Sequence, residues 1–250
     1  MHSNVFILLF FVGLMTSSQS SSFLDEQKKF PRVRTALEQK GEAVSDILSK
    51  NGLAVADLNV LFVAYKDEGL LELYGKRKSD TQYKLIASYA VCAKSGVLGP
   101  KRRQGDMQVP EGFYYIDRFN PNSNFYLSLG ISYPNQSDIK LSEHANLGGD
   151  IFIHGSCVTI GCLPMTDDKI KEIYLFAVYA RSCGQQKIPV YIFPFQMSSS
   201  KYAMFKETYA NNPSLLSFWD NLLEGYNLFL NQKEELVVLV TASGSYSFSK

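Results

Sequence analysis

The densest chemistry lies in Ile153-His154-Gly155-Ser156-Cys157-Val158-Thr159-Ile160-Gly161-Cys162. A thiol with a reference pKa of ~8.5 is mostly protonated at neutral pH, so a nucleophilic cysteine needs a base or positive charge beside it. His154, at the end of the apolar run Ile151-Phe152-Ile153, can be that base for Cys162. The chain has three histidines. His2 falls in an apolar amino-terminal segment, and His144, within Ser142-Glu143-His144-Ala145, reads as a surface-loop residue. Gly161 leaves the backbone free to turn at Cys162. Backbone N–H groups around Ile160, Gly161 and Cys162, just ahead of a helix, then form an expected oxyanion hole for acyl transfer.

Other chemistries fit less well. His154, Cys157 and Cys162 supply three zinc donors, whereas a closed structural site needs four and favours compact Cys-x2-Cys pairs, so no metal or other cofactor is expected. Asp106 and Glu111 offer carboxylates for a glycosidase, a reading that leaves the His-Cys pair unexplained. In Lys101-Arg102-Arg103, the guanidinium groups of Arg102 and Arg103 can fork onto substrate carboxylates, against the plainer reading of a solvated loop. Four cysteines, Cys92, Cys157, Cys162 and Cys183, allow at most one bridge if Cys162 is kept as a thiol, and their spacing does not pair them. Cys157 reads as a buried thiol, a disulfide partner or a redox guard of Cys162.

The elements that must position these groups follow from periodicity. Val33, Leu37, Val44, Ile47 and Leu48 give an amphipathic helix started near Pro31 and stopped at Asn51-Gly52. Strand-like runs follow at 60–65, 70–74, 83–92, 113–117 and 125–133, with a structured loop over 95–112 whose glycines and prolines suit neither helix nor central strand. After Cys162, Thr166-Asp167-Asp168 caps a helix with Ile170, Ile173, Tyr174, Ala177 and Val178 on its face. A strand at 188–193, helices within 201–230 carrying Trp219 on a packing face, and a last strand at 236–241 complete the chain. The expected class is α+β, a mostly antiparallel β domain with flanking amino- and carboxy-terminal helices.

Whole-chain properties narrow the function. Residues Val5 to Met15 form an apolar run followed by a serine-rich stretch, the outline of a signal peptide over 1–20, with an apolar run too short for a helix that needs ~20 residues to span a bilayer. Export without a stable membrane anchor is expected. The charge balance, 25 basic against 24 acidic residues, argues against a nucleic-acid partner. The mature chain divides into a helical segment (21–54), one main domain (55–197) and a carboxy-terminal appendage (198–250).

The stretch Ile153 to Cys162 resembles the signature of the L,D-transpeptidase catalytic-domain (YkuD-type) family, a His-Gly element joined to a Ser/Thr-x-Gly-Cys element. The short intervening loop, with Gly99-Pro100-Lys101, Gly105-Asp106, Val109-Pro110-Glu111-Gly112-Phe113-Tyr114, Asn120-Pro121-Asn122-Ser123, Tyr133-Pro134-Asn135 and Leu147-Gly148-Gly149, resembles the YafK-like subgroup. The resemblance implies Cys162 as nucleophile, His154 as base, a carbonyl or small polar group at Gly155 or Ser156 orienting the imidazole, and Gly161 shaping the nucleophile turn. Ser156, Thr159 and Ile160 fall where substrate would lie. Many members carry a second histidine two residues before the nucleophile, where this chain has Ile160. The implied substrate is the peptidoglycan peptide stem at its third, diaminopimelate-type residue, with a stem-linked envelope protein as a further partner in the periplasm or cell envelope. The rival class is a non-catalytic module that binds cell-wall stems.

Overall fold

The computed structural model describes residues 22–249; the signal-peptide reading of 1–20 lies outside them. Two helices open the described chain, α1 (Phe23–Gln27) and α2 (Pro31–Lys50). The strands β1 (Leu58–Tyr65), β2 (Leu70–Arg77), β3 (Lys84–Ala90), β4 (Gly112–Asn120) and β5 (Ser128–Ile131) follow. Then come α3 (Gln136–Leu141), β6 (Phe152–His154), β7 (Leu163–Pro164), α4 (Asp167–Ser182) and β8 (Ile188–Phe193). The chain ends in α5 (Ser199–Thr208), α6 (Pro213–Gln232) and the hairpin β9 (Val237–Val240) and β10 (Tyr246–Ser249). Eight strands form one sheet in the order β3-β2-β1-β8-β4-β5-β6-β7, antiparallel except at β1·β8 and β6·β7. The α+β class read from the sequence is the class observed.

Both faces of the sheet are covered, which explains why its central strands are continuously apolar. In β1, Val60, Phe62 and Ala64 face a core shared with α2 and α4, while Leu61, Val63 and Tyr65 face a second core built with α6. Helix α2 begins with Pro31 at its first turn and buries Val33, Ala36, Val44 and Leu48 along one stripe. Its Lys40 reaches Asp168 and Glu172 of α4 at 2.7 and 3.1 Å. Arg32, from the same helix, donates to the carbonyls of Ser123 and Tyr126, fixing the loop that carries Phe125. The amino-terminal helix therefore braces a loop at the site described below.

The carboxy-terminal appendage is tied down by one buried carboxylate. Glu111 is fully buried and accepts from Lys66 Nζ at 2.8 Å, Gly99 N at 2.7 Å and Trp219 Nε1 at 2.8 Å. Such a charge is tolerated in a core only when its lone pairs are met. Glu111 is thus a structural anchor, and with Asp106 held by Lys101 at 2.6 Å the glycosidase reading loses both of its carboxylates. Four elements went unread in the sequence: the short α1 ahead of Pro31, α3, the two-residue β7, and β10, which turns the single expected last strand into a hairpin.

Trp219→Ala should destabilise the fold by about 3–5 kcal/mol, through the cavity left and the donor lost to Glu111. Trp219→Phe keeps an aromatic ring but removes the indole N–H and its second ring, and should still cost about 1–3 kcal/mol. Urea midpoints measure both, and a Phe variant as stable as wild type would show that the Glu111 bond holds nothing.

Candidate active site

Residues paired across a sheet point to the same face, and alternate residues along a strand do likewise. Register therefore decides which side chains meet. Arg118 of β4 pairs with Gly130 of β5, Gly130 pairs with Phe152 of β6, and Cys162 directly precedes Leu163, the partner of Ile153. The result is a row, Arg118-Gly130-Phe152-Cys162. Two residues along runs a second row on the same face: Asn120, Ser128, His154 and Pro164. The intervening Leu129, Ile153 and Leu163 turn to the opposite face and are buried in the α4 core. Eight positions of chain between His154 and Cys162 are thus folded so that both line one cavity of about 560 Å³. Phe125, Phe152, Val158 and Ile160 make its wall largely apolar.

The imidazole is held in one orientation. His154 Nδ1 lies 2.5 Å from the carbonyl oxygen of Gly155; a carbonyl only accepts, so Nδ1 carries the proton and Nε2 is left unprotonated in the neutral ring. Phe125 covers the ring at 4.6 Å between centroids. Gly155 has no room for a side chain, since a Cβ there would sit 2.7 Å from both Asp167 Oδ1 and the carbonyl of Phe125. Burial holds the His154 pKa below the ordinary imidazole value, partly offset by the Gly155 bond.

The loop leading into Cys162 is closed by Thr159. Its hydroxyl accepts from Gly161 N at 3.1 Å and Cys162 N at 2.8 Å and donates to the Cys162 carbonyl at 2.9 Å. Gly161 takes a φ of +135°, and a Cβ on it would meet Gln108 O at 3.0 Å. The bridge Cys92–Cys157 anchors the middle of the loop to the end of β3, leaving Cys162 and Cys183 as free thiols. Cys162 Sγ donates to the backbone carbonyl of Asp150 at 3.6 Å rather than to the imidazole. Burial pushes the thiol pKa up, the Asp150 carboxylate adds to it, and the Phe152 backbone bond and Lys101 oppose.

Several expectations need correction. Helix α4 starts only at Asp167, after β7, so Cys162 does not stand at a helix amino terminus. The amides of Gly161 and Cys162, expected to hold an oxyanion, are taken by Thr159. Thr159 and Ile160 do line the cavity, the side chain of Ile160 in the open, but the Thr159 hydroxyl is committed to backbone. Ser156 leaves the cavity, its N–H donating to Asp167 Oδ1 at 2.8 Å. Arg102 is drawn elsewhere: it bonds Asp138 at 2.8 Å, lies 5.0 Å over the Phe218 ring and lines a separate cavity. Arg103 is exposed, with its N–H on Asp106. Neither arginine is brought to Cys162. Asp150, Asn120, Ser128 and Phe125 were missed, although Asp150, Phe152 and His154 share the period of two that marks one strand face. Among the described residues, no group of three or more His, Cys, Asp or Glu is placed to hold a metal ion.

Both shifts favour uncharged partners: the thiol keeps its proton and the imidazole stays neutral. Alkylation of Cys162 by iodoacetamide should accordingly climb through neutral pH with a midpoint above ~8.5. A plateau reached below pH 7 would mean a preformed thiolate-imidazolium pair and would contradict this.

Residues 59–192 match the L,D-transpeptidase catalytic domain family. The chain is 39% identical over 193 residues to YafK of Escherichia coli (strain K12), whose own L,D-transpeptidase assignment is provisional, covering 74% of this chain and 72% of that one. The same figures hold for YafK of Escherichia coli O157:H7. Among solved structures, the helical cell shape determining protein Pgp2 of Campylobacter jejuni aligns over 81% of this chain and 80% of its own, with 19% identity and a TM-score of 0.44. Bd1075 of Bdellovibrio bacteriovorus aligns over 62% and 56% with 21% identity and a TM-score of 0.39. By the extent of the domain match and its identity to YafK, this chain belongs to the L,D-transpeptidase catalytic-domain family.

Proposed function

We propose that the protein carries out cysteine-dependent acyl transfer on peptidoglycan peptide stems at the third, diaminopimelate-type residue. The observation that carries this reading is the shared cavity: Cys162 and an imidazole protonated on Nδ1 line one pocket on one sheet face. His154 Nε2 takes the thiol proton as Sγ attacks the carbonyl carbon of the third residue, then hands that proton to the departing amine. The carbonyl is left as a thioester on Cys162. An incoming amine attacks the thioester to make a new amide, or water attacks to give a carboxylate, and the thiol is regained in either case.

Of the two routes we favour water, as the resemblance of the sequence motifs to the YafK-like subgroup implies, with release of an envelope protein joined to the stem through a lysine side chain. Catalytic roles are assigned to Cys162 and His154, with Gly155 orienting the imidazole and Gly161 shaping the nucleophile turn. The apolar run at 5–15 and the Cys92–Cys157 bridge both favour an exported protein of the periplasm or cell envelope, since bridges persist in oxidising compartments. No helix among the described residues is long and apolar enough to cross a membrane.

Wild type, Cys162→Ala and His154→Ala proteins, incubated with cross-linked and protein-linked peptidoglycan fragments, should differ in products read by chromatography and mass spectrometry. Wild type should convert the fragments, Cys162→Ala should leave them intact, and His154→Ala should be slower by roughly 100- to 10,000-fold. Binding without conversion by all three proteins would replace catalysis with a stem-binding module.

A further inference from the structure

The row that holds Cys162 continues, on the far side of Phe152, into a charged cluster to which the acyl-transfer chemistry gives no task. Arg118 folds back across Gly130, where a Cβ would come within 2.8 Å of its Nε, and lays its guanidinium 4.9 Å over the Phe152 ring. Nε bonds Asp117 at 3.1 Å and Nη1 bonds Asp150 at 3.0 Å. Among the described residues Nη2 makes no hydrogen bond, and about half of the side chain is open to solvent. Asp150 lines the cavity with its side chain 81% exposed, while its own carbonyl receives the Cys162 thiol. Its backbone stands at φ +56°, a left-handed conformation that a non-glycine residue adopts at a cost and that recurs at functional sites. That conformation is what turns the carbonyl to the nucleophile and the carboxylate to the cavity mouth at once.

From this arrangement we infer that Arg118 and Asp150 form a recognition site for a zwitterionic amino-acid end, a carbon bearing both an ammonium and a carboxylate. The free Nη2 edge of Arg118 takes the carboxylate and the exposed Asp150 oxygen takes the ammonium. Phe152 keeps the guanidinium flat between them and the thiol. Neighbouring strands stand ~4.8 Å apart, so the guanidinium over β6 is about one strand from Cys162. A short methylene spacer bridges that gap, which is the layout of a diaminopimelate side chain whose backbone carbonyl lies at Sγ. A lysine at the same position offers the ammonium alone. This inference rests on the proposed stem chemistry and adds what selects the third residue: Arg118 and Asp150 act as specificity residues, not as parts of the acyl transfer.

The test uses mature protein carrying Cys162→Ala, so that binding is read without turnover, and three tetrapeptide stems that differ only at the third residue. These are diaminopimelate, diaminopimelate amidated at its side-chain carboxylate, and lysine. Calorimetry should show the first bound at least 10-fold more tightly than the other two. Adding Arg118→Gln should bring the three affinities within about threefold, by weakening the first alone. Adding Asp150→Asn should weaken all three, because each carries the ammonium. Competent turnover of stems by the otherwise wild-type Arg118→Gln protein, with KM raised for diaminopimelate and kcat retained, would separate a specificity role from a structural one. Equal affinity for the three stems, or a preference that survives Arg118→Gln, overturns the inference and leaves the proposed chemistry standing. Failure of every stem both to bind and to react overturns the two together.

Discussion

Everything at the site depends on one short parallel ladder, in which Ile153 pairs with Leu163 and His154 with Pro164. A strand has a side-chain period of two, so a slip of one residue in this pairing would turn Cys162 away from the cavity and into the α4 core. The ladder is only two residues deep, and pairing alone would hold it weakly. Its register is secured from outside. Leu129, Ile153 and Leu163 are buried on the opposite face, Met165 N bonds the His154 carbonyl at 2.6 Å, and Cys92 N bonds the Pro164 carbonyl at 3.0 Å.

The loop between His154 and Cys162 is built to be stiff. The Cys92–Cys157 bridge fixes its middle, Asp167 fixes Ser156, and Thr159 gathers three backbone groups around Gly161 and Cys162. Two glycines sit where a side chain would collide, Gly155 behind the imidazole and Gly161 against Gln108. What this rigidity yields is a neutral pair. Desolvation opposes charge on both Cys162 and His154, so the proposed attack starts from a neutral pair and not from a standing thiolate.

The residues proposed for the chemistry were legible in the sequence because they are recognised by type: a histidine ending an apolar strand, a cysteine behind Thr159 and Gly161, and a Thr166-capped helix beyond. What was not legible depends on register. Nothing in the linear order tells that Arg118 and Phe152 share a row with Cys162, or that Gly130 exists to let that arginine cross. The basic run Lys101-Arg102-Arg103 drew attention by composition, yet Asp106, Asp138 and Phe218, distant or unremarkable in sequence, engage the charges of Lys101 and Arg102, and Arg103 stays at the surface. Strand β7 escaped notice because two residues ending in proline carry no periodic signal. The same shortness hid the correct distance from Cys162 to the start of α4.

The most direct measurement of this account is nitrogen NMR of the His154 imidazole across pH, in wild type and in Cys162→Ser. The account requires a neutral ring at pH 7 with the proton on Nδ1, titrating below the ordinary value of ~6.5, and little changed when the thiol is replaced. An imidazolium at pH 7 that disappears in Cys162→Ser would contradict it, and would show that the site rests as an ion pair.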